Sequence, residues 1–160
     1  MIDVTDFAFT MGSFELQYHD IPRKIIAEKY MKDGNSTDLQ DYKFYCFHGK
    51  PVYCQVIGSR STNETIDFFD MDWQHMPFVG LNPLGVNSKE NISRPKTFDQ
   101  MVKSSETMSE GFSFVRVDFY EIDGEMYFGE MTFTPGSGSG GFRPDDVDFE
   151  LGKMIDLECC

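Results

Sequence analysis

The chain has 160 residues, room for one ordinary core, and 40% hydrophobic with 15% aromatic content is a folding composition, not a disordered one. Its formal net charge of −13 repels a phosphate backbone, which excludes general nucleic-acid binding; a small phosphorylated ligand needs only a few local cations or a carboxylate-held metal. No apolar run approaches the roughly 20 residues that span a bilayer.

The opening MIDVTDFAFTMG lacks the basic start and apolar run of a signal peptide, so a cytoplasmic location is expected. Asn-x-Ser/Thr triplets at Asn35, Asn63 and Asn91 are then chance occurrences in polar stretches. The four cysteines, Cys46, Cys54, Cys159 and Cys160, have no metal-ligand spacing, and a disulfide framework is not expected in a chain of this kind.

Lys24 to Met31, KIIAEKYM, reads as a short strand. Asp41 opens a second, DYKFYCF; His48-Gly49-Lys50 turns the chain and PVYCQVIGSR returns, a hairpin by pattern. TIDFFDMDW is a third extended piece. Met76 to Ser93 is a loop, rich in Pro and Gly-containing dipeptides. Phe98, Met101, Val102, Ser105 and Met108 recur at helical spacing and predict an amphipathic helix over Lys96 to Ser109.

Phe112 to Tyr120 and Glu125 to Thr134 predict a second hairpin around Asp123-Gly124. The glycine-rich PGSGSGG follows, without the Gly-Lys-Ser/Thr of a phosphate loop. DVDFELGKMIDLE predicts a short final helix. The fold class is α+β, mostly antiparallel with few helices, in one domain: a lead-in over 1–22, a core over 23–157 and a tail over 158–160.

Chemistry concentrates in RVDFYEIDGEMYFGEMTFTPG. Strand alternation puts Arg116, Asp118 and Tyr120 on one face, and Glu130, Thr132 and Thr134 on one face of the next strand. A two-residue turn at Asp123-Gly124 pairs even residues with odd and sends Asp118 and Glu130 to opposite sides. A three-residue loop with Gly124 in a G1 bulge pairs even with even, and this odd loop is the expectation. Asp118 and Glu130 would then sit with Cβ atoms roughly 5–8 Å apart, repelling unless a cation such as Mg²⁺ lies between them. Arg116 on that face could meet an anion beside the metal. Spacing alone favours an exposed acidic hairpin with a surface salt bridge over the metal site.

This hairpin resembles the end of the ATP-grasp fold, in which one strand carries an acid and the next Glu-x-Asn, often ending in Pro-Gly. Here the residues are Asp118, Glu130-Met131-Thr132 and Pro135-Gly136, with Thr in the place of Asn. D-alanine–D-alanine ligases also place Arg two residues before the Asp, as Arg116 stands here. The ordered phrases IPRKIIAEKYM, DYKFYCFHGKP, FVRVDFY and YFGEMTFTPGSG resemble the TupA-like ATP-grasp branch over Glu15 to Leu157. That branch is linked to teichuronopeptide and other cell-surface polysaccharide synthesis.

The resemblance implies an ATP-grasp-like fold without its N-terminal part, with ATP and Mg²⁺ as cofactors. It implies metal ligation by Asp118, Glu130 and Thr132, and charge stabilisation by Arg116. It further implies nucleotide contacts from Glu28, Lys29 and Tyr30 in a hinge strand, from Asp41 toward the ribose, and from Lys43 and Arg60 toward phosphate or substrate. The implied reaction is carboxylate activation through an acyl phosphate and coupling to an amine, on a surface polymer and with polysaccharide-synthesis partners. The alternative is a truncated, non-catalytic nucleotide- or glycan-binding module.

Overall fold

The computed structural model describes residues 15, 20–22, 24, 25, 27, 29–32, 34, 39–58, 64–81 and 86–156. Seven strands and two helices are present among them: β1 (Asp41–Phe47), β2 (Lys50–Gly58), β3 (Thr65–Phe69), β4 (Val79–Gly80), α1 (Phe98–Ser109), β5 (Phe114–Ile122), β6 (Glu125–Thr132), β7 (Phe142–Arg143) and α2 (Asp146–Lys153). Five strands form one antiparallel sheet in the order β3-β2-β1-β5-β6, and β4 pairs with β7 as a small ribbon. The expected α+β class, antiparallel sheet and terminal helix are therefore present. Within the expected strand at 24–31, the described residues lie outside any strand, with Ile25 and Tyr30 exposed.

Both hairpins turn on an X-Gly pair in the left-handed region: His48 and Gly49 at φ 48° and 76°, Asp123 and Gly124 at φ 55° and 80°. These are two-residue turns whose twist matches that of the strands they join. The three-residue loop expected at Asp123-Gly124 is thus corrected. Asp tolerates the left-handed region well enough to let both turn residues adopt it.

Parity is restored further along. Near the turn Tyr120 faces Tyr127 and Phe119 faces Phe128, but beyond it Val117 faces Met131 and Arg116 faces Thr132. Gly129 and Glu130 together oppose Asp118, which makes a β-bulge. The bulge needs its glycine: a Cβ at 129 would stand 3.1 Å from both the Asp118 carbonyl oxygen and the Tyr120 ring.

The sheet buries both faces of its central strand, and all seven residues of β1 are buried. On one face Phe44, Cys46, Cys54, Val117 and Phe119 pack with Phe98 and Met101 of α1. Glu121 of β5 secures the start of α1, accepting from Thr97 N and Oγ1 at 2.7 Å each. A carboxylate suits the positive end of a helix. Trp73 stacks on Phe69 at 4.2 Å and donates its indole N–H to the Ile92 carbonyl at 3.1 Å, so it is a packing residue.

On the opposite face Tyr45, Phe47, Phe68, Phe78, Phe142 and Leu151 form a second core under the β4–β7 ribbon and α2. That ribbon lies close, for a Cβ at Gly80 would meet the Phe142 ring at 2.2 Å. At the sheet edge, buried Asp67 accepts from Ser88 N at 3.0 Å and pairs with His75 Nε2 at 2.8 Å, fastening the loop around 86–88 to β3. No helix among the described residues is long and apolar enough to cross a membrane.

Two stability outcomes are expected. Gly129→Val overfills the bulge and should cost about 1–3 kcal/mol, whereas Gly152→Ala, with open space at its Cβ, should gain about 0.5–1 kcal/mol; urea unfolding compares the two. Burial raises the Cys46 thiol from 9.0 to about 12 and also raises Cys54. The native state then keeps protons that the unfolded chain loses above its ordinary thiol pKa. Stability should therefore be intact below pH 9 and fall as pH rises toward 12, at up to about 1.4 kcal/mol per pH unit and thiol. Thermal melts across that range, with Cys46→Ala and Cys54→Ala flattening the decline, check it.

Candidate functional site

The sheet face that carries Tyr45 and Phe47 turns polar toward the other end of the same strands. Pairing places Lys43 opposite Asp118 and Tyr45 opposite Arg116, and Arg116 opposite Thr132. Strand alternation keeps Asp41, Lys43, Arg116 and Asp118 on this face, and the bulge brings Glu130 to it. Residues 75 apart in sequence thus meet across one strand pairing: Lys43 Nζ donates to Asp118 Oδ2.

Arg116 is the hub. Its Nε donates to Asp118 Oδ1 and its Nη2 to Asp118 Oδ2, both at 2.8 Å. The same Nη2 reaches Thr132 Oγ1 at 2.9 Å and Glu130 Oε1 at 3.2 Å. Asp41 Oδ2 lies 3.9 Å from Lys43 Nζ, which brings a third carboxylate to the cluster. Asp118 and Asp41 are each 1% exposed and Lys43 and Arg116 are buried, whereas the Glu130 side chain is 63% exposed.

Burial alone would lower the Arg116 pKa. Its hydrogen bonds to Asp118 and that residue's charge prevail and hold the guanidinium above its ordinary value. Behind it, Tyr45 Oη donates to Gln55 Oε1 at 3.2 Å, and burial raises the Tyr45 pKa, keeping the phenol neutral. Tyr45 and Gln55 were absent from the sequence reading. A glutamine inside the run PVYCQVIG was the available signal, since a buried polar side chain needs a partner.

Near the turn of the β5–β6 hairpin a cleft of about 610 Å³ opens between residues 29–32 and Ile122, Asp123, Tyr127 and Phe128. Lys29 and Tyr30 line it, and Lys32 lies 5.6 Å from the centre of the Tyr30 ring. On the far side of Arg116 along β5, Tyr45, Phe47, Phe114, Phe142 and Leu151 line an apolar pocket of about 200 Å³. The order along β5 is cleft, charged cluster, apolar pocket. Of the cleft aromatics Tyr30 was expected, whereas Tyr127 and Phe128 were not, because a surface Phe or Tyr carries no signal of what it faces.

The structure brings together Asp41, Lys43, Arg116, Asp118, Glu130 and Thr132 in the cluster, and Lys29 and Tyr30 in the cleft. Glu28 and Arg60 lie outside the described residues. Asp118 and Glu130 do share a cation, as their common face requires, but it is the Arg116 guanidinium. The salt bridge allowed by the spacing is present too, and at Asp118 it is buried instead of exposed.

A Mg²⁺ ion prefers six oxygens in near-octahedral order. Both Asp118 oxygens are engaged by Arg116 and Lys43, and among the described residues no group of three or more His, Cys, Asp or Glu side chains is placed to hold a metal. As arranged, the cluster does not fit a metal ion between the two acids.

Asp118→Asn should destabilise the fold by about 3–5 kcal/mol, because it removes the charge that offsets two buried cations. Glu130→Gln, at the solvent-exposed end, should cost below about 1 kcal/mol. Denaturant midpoints for the two variants check this difference.

Searches of curated proteins and of solved structures return no significant match. The TupA-like ATPgrasp family model matches residues 6–156, a span that holds the hairpin, the ion cluster and the cleft. The chain therefore belongs to the TupA-like ATP-grasp family.

Proposed function

We propose that this chain is a nucleotide-binding, ligase-type ATP-grasp protein that activates a carboxylate with ATP and couples it to an amine. The observation that carries the reading is the order along β5, in which a ring-sized cleft, a cluster of charged side chains and a second pocket follow one another on one hairpin. The family generally binds ATP and Mg²⁺, which supports the nucleotide. The cleft is within the usual size of small-ligand sites. Tyr30, Met31, Ile122, Tyr127 and Phe128 offer flat apolar surface for adenine, and Lys29 and Lys32 offer cations at its rim.

In this reading the phosphates point along β5 toward Lys43 and Arg116. A substrate carboxylate oxygen attacks the terminal phosphorus and ADP leaves. An amine then attacks the acyl carbon, the C–O bond to phosphate breaks, and an amide and inorganic phosphate result. Arg116 and Lys43 in this reading stabilise negative charge as it develops. Mg²⁺ is given no step, since Arg116 already lies between Asp118 and Glu130. The acceptor belongs toward the pocket at Phe114 and Tyr45. A surface polysaccharide as its carrier, and a cytoplasmic place of action, accompany this family assignment as parts of the same proposal.

A second reading is a non-catalytic nucleotide- or glycan-binding module. The closed ion cluster favours it, because groups that already satisfy one another are costly to redirect toward a substrate.

Isothermal calorimetry with ATP tests the nucleotide site. Wild type should bind, and Phe128→Ala should weaken binding about tenfold, as the loss of one base–aromatic stack implies. Binding indifferent to Phe128→Ala and Tyr30→Ala, or no binding of ATP at all, ends the nucleotide reading. Phosphate release that depends on an added carboxylate and amine separates the ligase from the module.

A further inference from the structure

We propose that the pocket beside Phe114 and Leu151 binds a primary amine carried on a small apolar body, taken up as its ammonium. As a binding site it stands on its own lining; as the subsite of the acceptor it rests on the ligase reading.

The walls set the body of the ligand. Phe47, Phe114, Leu151 and Ile155 border a space of about 200 Å³. The rings of Phe47 and Phe114 pack with centroids 5.1 Å apart, and Tyr45 meets Phe114 at 6.1 Å, so one wall is aromatic. Such a wall holds apolar groups without needing a directional partner. An apolar cavity of about 150 Å³ takes up a benzene ring, so a phenyl or branched-alkyl group fits the space.

Charge sets the rest. Among the described lining residues Asp148 is the charged one. It is solvent-exposed, and its Oδ2 accepts from Phe142 N at 3.1 Å, which fixes the carboxylate in place. An ammonium is its matching partner. The chain's net charge of −13 also draws in cations and not anions. Tyr45 is the lining residue paired with Arg116 across β1 and β5. Its hydroxyl is spent on Gln55, and the guanidinium is held by Asp118. Neither group is offered to an anion in this pocket, and Asp148 would repel one.

Gly152 is an independent sign of a ligand. It lines the pocket from within α2, where glycine is an unfavourable helix residue. No positive φ calls for it, and a Cβ there would meet no atom within 4 Å. Neither the backbone nor the packing of the chain explains the glycine. Its missing side chain leaves open the space beside the pocket.

The test is a heteronuclear NMR titration at neutral pH, without nucleotide. Benzylamine, benzyl alcohol and benzoate are the probes, since they share a body and differ in charge. The amides of Phe142, bonded to Asp148, and of Gly152 report on the site. Benzylamine should shift both saturably and bind about fivefold more tightly than benzyl alcohol, with benzoate weakest. Asp148→Asn, whose amide oxygen can still accept from Phe142 N, should erase that preference and leave the alcohol's binding unchanged. Gly152→Leu, a better helix residue, should fold and weaken every probe about tenfold.

Equal affinity for the amine and the alcohol in wild type overturns the proposal, and so does a preference that survives Asp148→Asn. Binding that persists undiminished in Gly152→Leu, or no saturable binding of any probe, overturns it too. The ATP calorimetry stands apart. Amine binding without ATP binding ends the nucleotide reading alone, and ATP binding without an amine preference ends this inference alone.

Discussion

A carboxylate 1% exposed to water needs compensation, and Asp118 receives it from both sides of its strand pairing. Arg116 precedes it by two residues on β5, and Lys43 faces it from β1. Desolvating these charges is costly, and only full hydrogen bonding makes the cluster tolerable inside the sheet. The cluster therefore constrains its surroundings: β1 and β5 can pair in only one register without separating charge from countercharge. A one-residue slip would turn Lys43 into the aromatic face under α1 and leave Asp118 alone.

The two faces of the sheet solve different problems. Under α1, Phe44, Phe98, Met101 and Phe119 form an all-apolar contact that supplies cohesion. On the other face the same strands are apolar at one end, beneath the β4–β7 ribbon and α2, and charged at the other. Apolar packing and charge are thus separated along the strands as well as between faces. The bulge at Gly129-Glu130 is the device that lets an edge strand serve the charged end. It adds one residue to β6, turns Glu130 toward Arg116, and keeps Phe128 near the cleft.

The same geometry explains why family membership and readiness for chemistry are separate matters. The residues associated with the ATP-grasp hairpin stand on one face, as membership in the TupA-like branch implies. Their charges are already spent on one another. Glu130 is the solvent-exposed member of the cluster, and Asp118 the buried one that anchors it.

Local patterning sufficed for α1, for both hairpins and for the terminal helix, because helical spacing and X-Gly turns act over neighbouring residues. It also placed Arg116 with Asp118, two residues apart on one strand. At 24–31 it predicted a strand in which none of the described residues takes part. It also reached the common face of Asp118 and Glu130 through the wrong device, a loop in place of a bulge, since a bulge depends on how Gly129 meets the Asp118 backbone. By itself the sequence determined which side chains alternate together and which family they resemble. Only the tertiary structure decided that β1 pairs with β5, that Lys43 answers Asp118, and that a guanidinium lies where spacing had suggested a metal. Burial and long-range strand register settle those choices, and neither is written in any local stretch of the chain.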